Sequence, residues 1–325
     1  MKTYIVTGAT GFVGNNLVRE LTKRGNRVIA MARCEKKLQK TLEGLDVEVV
    51  FGTVMNPDDI EKMFEIAGKN VVVVHTAAMV NLGRNKQQLR QMYETNVIGT
   101  QNVIDACVRH GAQLVYVSSV YAIPPGKKGS TITEIQQFNP SSVRGGYAKS
   151  KAEASRLVME AVEQHGLKAQ IVHPSGIVGP NDYSATYILQ IIDNYKAGRI
   201  PVSVTGGYDF VDVRDVVNGI IAAADKAVAG GCYLLTGQYV SVSEVLDILH
   251  ELGIGKKVKR KVPIWVARVG LPLLTTHARI TKKKPLYTKD SLLALSANSN
   301  FSHKLATKEL NYNPRNIRES LKDMI

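Results

Sequence analysis

The sequence has one tryptophan, three cysteines and fewer acidic than basic side chains in its 325 residues. Each scarcity excludes something. Cys34, Cys107 and Cys232 are widely spaced in ordinary apolar or helical surroundings, which argues against a disulfide framework and for a reducing, cytoplasmic setting. No apolar run approaches the ~18 residues of a membrane span. The opening stretch Met1-Lys2-Thr3-Tyr4-Ile5-Val6 has too little apolar content for a signal peptide. The seven histidines do not fall at metal-ligand spacing: His165 and His173 flank a helix-to-strand turn instead of sharing a helix face. No metal is expected. Acidic residues number 28 against 42 Lys and Arg, a net charge of +14. That balance suits an anionic partner: a phosphorylated cofactor, an acidic substrate, nucleic acid or a membrane surface. The densest clusters, Lys256-Lys257 with Lys259-Arg260-Lys261 and Lys282-Lys283-Lys284, carry no interleaved aromatics to stack bases, so a solvated basic face is the plainer reading and nucleic acid is not expected.

What is present is an alternation. Tyr4 to Val6, Arg27 to Ala30, Val47 to Phe51, Val71 to Val74, Leu114 to Val117 and Ala169 to Val172 read as short buried strands. Between them Phe12 to Arg24, Pro57 to Ile66, Gln87 to His110 and Tyr147 to His165 read as helices. Continuous apolar strands separated by helices predict an α/β fold with a doubly wound parallel sheet (Rossmann) covered on both faces. After Pro180 the alternation breaks down. Residues 1–180 are therefore expected to form a dinucleotide-binding domain to which 209–230 return, and 181–208 with 231–325 a smaller mixed α/β substrate lobe.

Thr7-Gly8-Ala9-Thr10-Gly11-Phe12-Val13-Gly14 spaces its glycines three apart, directly after the first strand and at the start of the first helix. Gly8 permits a tight turn, Gly11 lets a pyrophosphate approach the backbone, and Gly14 allows close helix-to-strand packing. The helix N-terminus then offers free N–H groups to phosphates. A tight turn alone would also use such glycines, but here strand, helix and second strand all fall where a dinucleotide fold needs them. At the end of the second strand, where a carboxylate would hold the 2′-hydroxyl of NAD, the chain reads Met31-Ala32-Arg33-Cys34. Arg33, with Lys36, Lys37 or Lys40 nearby, suits a 2′-phosphate, so NADP is favoured and NAD remains an option. The plain alternative is an arginine simply exposed at a strand end.

Tyr147-Ala148-Lys149-Ser150-Lys151 puts a tyrosine and a lysine four apart on one helical face. A phenol of pKa ~10 needs a nearby cation to act near neutral pH, and Lys151 supplies one. The spacing alone is weak evidence. Ser118-Ser119, at the end of the fifth strand on the carboxyl edge of the sheet, strengthens it: one hydroxyl can hold a carbonyl oxygen while Tyr147 moves the proton and a nicotinamide moves the hydride. For Ser118 a turn or capping role is the better reading, and Lys149 is a solvent-facing charge.

With these motifs, and with His75-Thr76-Ala77-Ala78, Asn96-Val97-Ile98-Gly99-Thr100, His173-Pro174 to Gly179-Pro180 and Val211-Asp212-Val213-Arg214-Asp215, nearly the whole chain resembles an extended short-chain dehydrogenase/reductase of the NAD(P)-dependent epimerase/dehydratase family. Phe301 to Leu305 and Glu309 to Arg315 resemble its dihydroflavonol reductase and 3-beta-hydroxysteroid dehydrogenase branch. The resemblance implies Ser119 as carbonyl-binding hydroxyl, Tyr147 as acid/base and Lys151 as pKa modulator and ribose ligand. It also implies cofactor contacts from the glycine motif, Ala77, Ala78, Asn96 and Pro174. Three departures stand out. Gly52-Thr53 replaces the frequent Gly-Asp that touches adenine, His173-Pro174 replaces Arg-Pro, and Ser119-Val120-Tyr121 lacks the two acidic residues that dehydratases carry. An NADP-dependent reductase of a ketone or aldehyde, or dehydrogenase of the alcohol, is the leading expectation; a nucleotide-sugar epimerase is the alternative. A redox-sensing binding protein would not need the tyrosine-lysine pair.

Two further expectations concern the remainder. The helices beginning near Gln87 and at Tyr147 can pair two copies into a homodimer, as the resemblance suggests. Val262, Trp265, Val266, Val269 and Leu273 recur near helical spacing and predict either core packing or an apolar cover over an uncharged carbonyl substrate. Arg268 and Arg279 are the arginines available to a sugar-nucleotide pyrophosphate.

Overall fold

The computed structural model describes residues 2–80, 85–127, 129–184, 186–271 and 289–325. The first half alternates strictly: β1 Thr3–Thr7, α1 Phe12–Lys23, β2 Arg27–Ala32, α2 Glu35–Leu42, β3 Glu48–Phe51, α3 Pro57–Ala67 and β4 Val71–His75. Next come α4 Lys86–Tyr93, a π-helical turn Glu94–Ile98, α5 Gly99–His110, β5 Gln113–Val117, α6 Gly146–His165 and β6 Ala169–Pro174. The remainder is β7 Gly176–Val178, α7 Tyr187–Lys196, β8 Ser203–Val204, β9 Gly207–Asp212, α8 Val213–Lys226, β10 Cys232–Leu235 and β11 Gln238–Ser241. It closes with α9 Val242–Glu251, β12 Lys261–Val262, α10 over 264–271, α11 Lys289–Ser296, α12 Lys304–Leu310 and α13 Ile317–Lys322.

Seven parallel strands form the main sheet in the order β10-β6-β5-β4-β1-β2-β3. The order reverses direction between β1 and β4, which opens a crevice at their carboxyl ends. Strands β1, β4 and β6 are buried along their whole length because helices cover both faces. One face packs Ile5, Ile29, Val73 and Leu114 against α3, α5 and α6; the other packs Tyr4, Val6, Val74 and Val115 against α1 and α8.

A third apolar cluster joins Val178, α7, α9 and Leu292 to Phe210 of β9. Two boundaries differ from the sequence reading. The return to the main sheet runs past 230, because Cys232–Leu235 is its edge strand beside β6. Helix α12 also packs on the main body, placing Ala306 and Leu310 among residues of α8.

The stripe through Trp265 is likewise corrected. Ile264, Ala267 and Leu271 turn α10 inward onto the third cluster, so Trp265, Val266 and Val269 are left exposed. The register of α10 turns Ile264, Ala267 and Leu271, rather than the stripe through Trp265, toward the core. Leu273, Arg279 and the Lys282-Lys283-Lys284 cluster lie outside the described residues.

Candidate active site

The glycine turn connects β1 to α1. Gly8 sits at φ +70°, a left-handed conformation that favours glycine, and a Cβ there would lie 2.6 Å from the Ala77 backbone nitrogen. A Cβ on Gly14 would lie 2.2 Å from the Gly8 carbonyl oxygen, so the helix closes on the turn only because Gly14 lacks a side chain. Gly11 is the N-cap of α1 and offers no side-chain cap, and no acidic residue occupies the first turn. Thr10, Gly11, Phe12 and Val13 are partly exposed at this end. Uncapped amides with the positive end of the helix dipole suit an anionic phosphate.

Beside this turn, the loop after β4 is held from both sides. The Thr76 hydroxyl donates to the Thr7 carbonyl at 2.8 Å. Asn96, inside the π-helical turn, accepts from the Met79 amide at 2.7 Å and donates to the Met79 carbonyl at 3.0 Å and the Ser150 hydroxyl at 3.0 Å. Both amide hydrogens of Asn96 are thereby spent within the chain. Its geometry is that of a residue that places the Ala77-Ala78 loop and α6, not of one reaching toward a cofactor.

Arg33 follows the last residue of β2 and is exposed, as is Lys37 on the first turns of α2. Lys40 is exposed as well, its ammonium 5.8 Å from the Tyr183 ring centroid. The turn after β3 lacks an aspartate at position 53, yet a carboxylate is still there: Asp59 accepts from the Thr53 amide at 3.1 Å. That contribution from α3 was invisible to a reading of adjacent residues.

Ser119, Tyr147 and Lys151 meet at the carboxyl end of β5. Ser119, two residues beyond β5, is extended and caps the short turn that follows, its hydroxyl accepting from the Tyr121 amide at 3.3 Å. Burial pushes the Tyr147 phenol up to about 12, against the opposing pull of a hydrogen bond with the Ser119 hydroxyl. Lys151, 3% exposed, lies one helical turn further along α6. Its ammonium donates to the Val117 carbonyl at 2.7 Å and the Tyr116 hydroxyl at 3.3 Å, and sits 4.8 Å from the Tyr116 ring centroid. Burial pulls it down to about 7.

Ser118 is structural, its hydroxyl paired with that of Ser155 at 2.8 Å. His173 supplies a support that the sequence did not announce. Its Nδ1 lies 3.1 Å from the Ser119 carbonyl, and that contact requires Nδ1 to carry the proton and donate. It ties β6 to the end of β5, with Pro174 buried next to it. Burial lowers His173 to about 4. His75 bridges Thr7 at 2.6 Å and Thr100 at 3.0 Å, and burial, with a smaller push from Lys151, lowers it to about 3. Both imidazoles are neutral struts.

An aromatic row leads away from the phenol. The Tyr121 ring meets Tyr147 edge-on at 6.1 Å and stacks on Tyr208 at 6.0 Å; Tyr208 meets Phe210 edge-on at 5.9 Å. Tyr121 and Tyr208 went unnoticed in the sequence because nothing in their local pattern links positions 87 residues apart; β9 brings them together. Val120 and Tyr121 occupy the two positions after Ser119, so no carboxylate stands there. Among the described residues no three His, Cys, Asp or Glu side chains gather as a metal site.

Residues 4–235 match the NAD dependent epimerase/dehydratase family. The chain belongs to that family. Sterol demethylase protein B of Methylococcus capsulatus is 30% identical over 99% of this chain and 97% of its own length. A putative dihydroflavonol 4-reductase of Synechocystis is 29% identical over 99% and 93%. The crystal structure of gox2253 superposes with a TM-score of 0.82 at 29% identity, covering 100% of this chain and 97% of that one. The fold is accordingly the Rossmann type of this family, whose members include reductases, dehydrogenases and epimerases. This protein is an NAD(P)-binding enzyme of the oxidoreductase kind that those relatives share.

Proposed function

We propose that the protein is an NADP-dependent carbonyl reductase, working in the reverse direction as an alcohol dehydrogenase. The observation that carries the reading is Ser119, Tyr147 and Lys151 assembled at the carboxyl edge, with Tyr147 held in its protonated form. Bound NADPH supplies the hydride. The Ser119 hydroxyl donates a hydrogen bond to the substrate carbonyl oxygen, and Tyr147 releases its proton to that oxygen. Lys151 has one N–H left after Val117 and Tyr116, which it offers to the cofactor ribose, and its charge offsets the phenolate formed at Tyr147. Thr7, Gly8, Thr10 to Gly14, Ala77, Ala78 and Pro174 frame the dinucleotide; Arg33 and Lys37 take the 2′-phosphate.

The row Tyr147, Tyr121, Tyr208 and Phe210 supports an uncharged substrate with an apolar or planar flank. The relatives named as a dihydroflavonol reductase and a sterol demethylase protein point the same way. The absence of carboxylates beside Ser119 removes the acid and base that a dehydratase would need. Arg268 bonds the Ser296 hydroxyl at 2.7 Å on the outside of the lobe, which disfavours a pyrophosphate clamp from that residue. The test is NADPH depletion across aldehydes, diketones, steroids and nucleotide sugars. Net consumption with an uncharged carbonyl compound is the expected result. Turnover of a nucleotide sugar with no net change in cofactor would replace the reading by an epimerase.

A further inference from the structure

Helix α10 carries two apolar faces, and the protein uses one. Ile264, Ala267 and Leu271 are packed on the third cluster, and the Ile264 amide is tied to the Thr205 hydroxyl at 3.0 Å. The helix is therefore anchored from below. Above it, Trp265 is 65% exposed and Val269 74%, one turn apart on the same face, with Val266 also open. Such side chains gain nothing from water.

The same piece of chain is densely basic. Lys256, Lys257, Lys259, Arg260 and Lys261 immediately precede α10, and all are exposed. None forms an ion pair among the described residues. Between Glu251 and Asp290 the sequence holds eleven Lys and Arg residues and no Asp or Glu, so this one stretch holds most of the net charge of +14. A solvated basic face would explain the lysines but not the tryptophan and valines beside them. A nucleic-acid surface would explain the charge, yet the open side chains of α10 are mostly aliphatic and offer a single ring for stacking.

We propose that α10 and the basic run before it form a docking surface for an anionic lipid bilayer. Trp265, Val266 and Val269 enter the headgroup boundary, where an indole is favoured, while the lysines and Arg260 meet the phosphate layer. The attachment is peripheral: among the described residues no helix is long and apolar enough to cross a membrane. Because α10 packs on the cluster that includes Phe210, docking would set the lobe behind the aromatic row against the bilayer. Lipid attachment itself does not depend on the reductase reading and is read without substrate.

The single tryptophan makes the test direct. The full-length protein is mixed with vesicles of phosphatidylcholine and phosphatidylglycerol, with pure phosphatidylcholine as control, and bound protein is separated by flotation. Binding to the anionic vesicles is expected, weakened by salt, with Trp265 emission moving to shorter wavelength. Val269→Asp, and separately the triple change Lys256→Gln, Lys257→Gln and Lys259→Gln, should each weaken binding by ~tenfold or more while thermal unfolding stays as in the parent. Four results would overturn the proposal: no flotation with anionic vesicles, flotation with unchanged Trp265 emission, variants that float like the parent, or an emission shift that follows protein concentration without lipid and so marks self-association. Binding of a duplex oligonucleotide with no binding of vesicles would likewise transfer the surface to nucleic acid.

Discussion

At the scale of single residues the site separates into groups that touch substrate and groups that hold them. Tyr147→Phe deletes the transferable proton and little else, since the ring keeps its contact with Tyr121. Turnover with a confirmed carbonyl substrate should fall by about 10²- to 10⁴-fold while NADPH affinity, read by fluorescence titration, stays near that of the parent. Lys151→Met should lower both, because it loses the charge near Tyr147 and the N–H offered to the ribose. Retention of most activity in Tyr147→Phe would assign the acid elsewhere. Arg33 has a narrower role. If it grips the 2′-phosphate, Arg33→Asp should cost the NADPH reaction about 1.5 to 3 kcal/mol, roughly ten- to a hundred-fold in kcat/KM, and move the NADPH to NADH ratio toward or past unity. An unchanged ratio excludes it as the discriminating contact. These residues were legible in the sequence because each is defined by local spacing. Tyr121, Tyr208 and His173 were not, since their roles exist only after β5, β6 and β9 are brought to one edge.

At the scale of elements, the turn between β1 and α1 is the most constrained. Gly14→Ala would drive a methyl group to 2.2 Å from the Gly8 carbonyl and should destabilise the protein by roughly 3 kcal/mol as well as weakening cofactor binding. Gly25 gives a control. It also has a left-handed φ, +73°, but open space around it, so Gly25→Ala should cost only about 1 kcal/mol in urea titrations. Equal costs would refute the crowding argument. The six strands expected from the sequence all form, because uninterrupted Val and Ile runs between polar helix starts have no other stable placement. The predicted helix from Gln87 to His110 also forms, but with an unexpected π-helical turn at Glu94–Ile98. That turn has no periodicity signal, and it places the buried Asn96 against Met79 and Ser150. The stripe at Trp265 failed for a related reason: periodicity identifies an apolar face but not which of two faces the core will take.

Across the whole molecule, two buried imidazoles contribute to the response to acid. His75 and His173 lie at about 3 and about 4 when folded, below the ordinary histidine value. Above pH ~6.5 both are neutral in the folded and unfolded chains and contribute no pH dependence. As the pH falls below ~6.5 the unfolded chain takes up protons that the folded chain refuses, so stability drops by about 1.4 kcal/mol per unit for each histidine until the folded values are reached. Urea midpoints measured between pH 7 and pH 4.5 should show this fall, and His173→Gln should flatten it; a slope unchanged in the variant would mean that other groups are responsible. The sheet order has a bearing on how the chain is made. The strand first in sequence stands in the interior of the sheet, and later strands are added outward on either side. During synthesis β6, buried at every position, waits as a bare edge until Cys232–Leu235 emerges to cover it. An unpaired flat apolar edge is an invitation to pair with another chain. A chain stopped at residue 230 should therefore be recovered mostly as aggregate, whereas one stopped after β10 should stay dispersed at least in part. Nascent copies on one messenger are exposed to the same hazard, and for this fold the interval between β6 and β10 is where a chaperone has most to do.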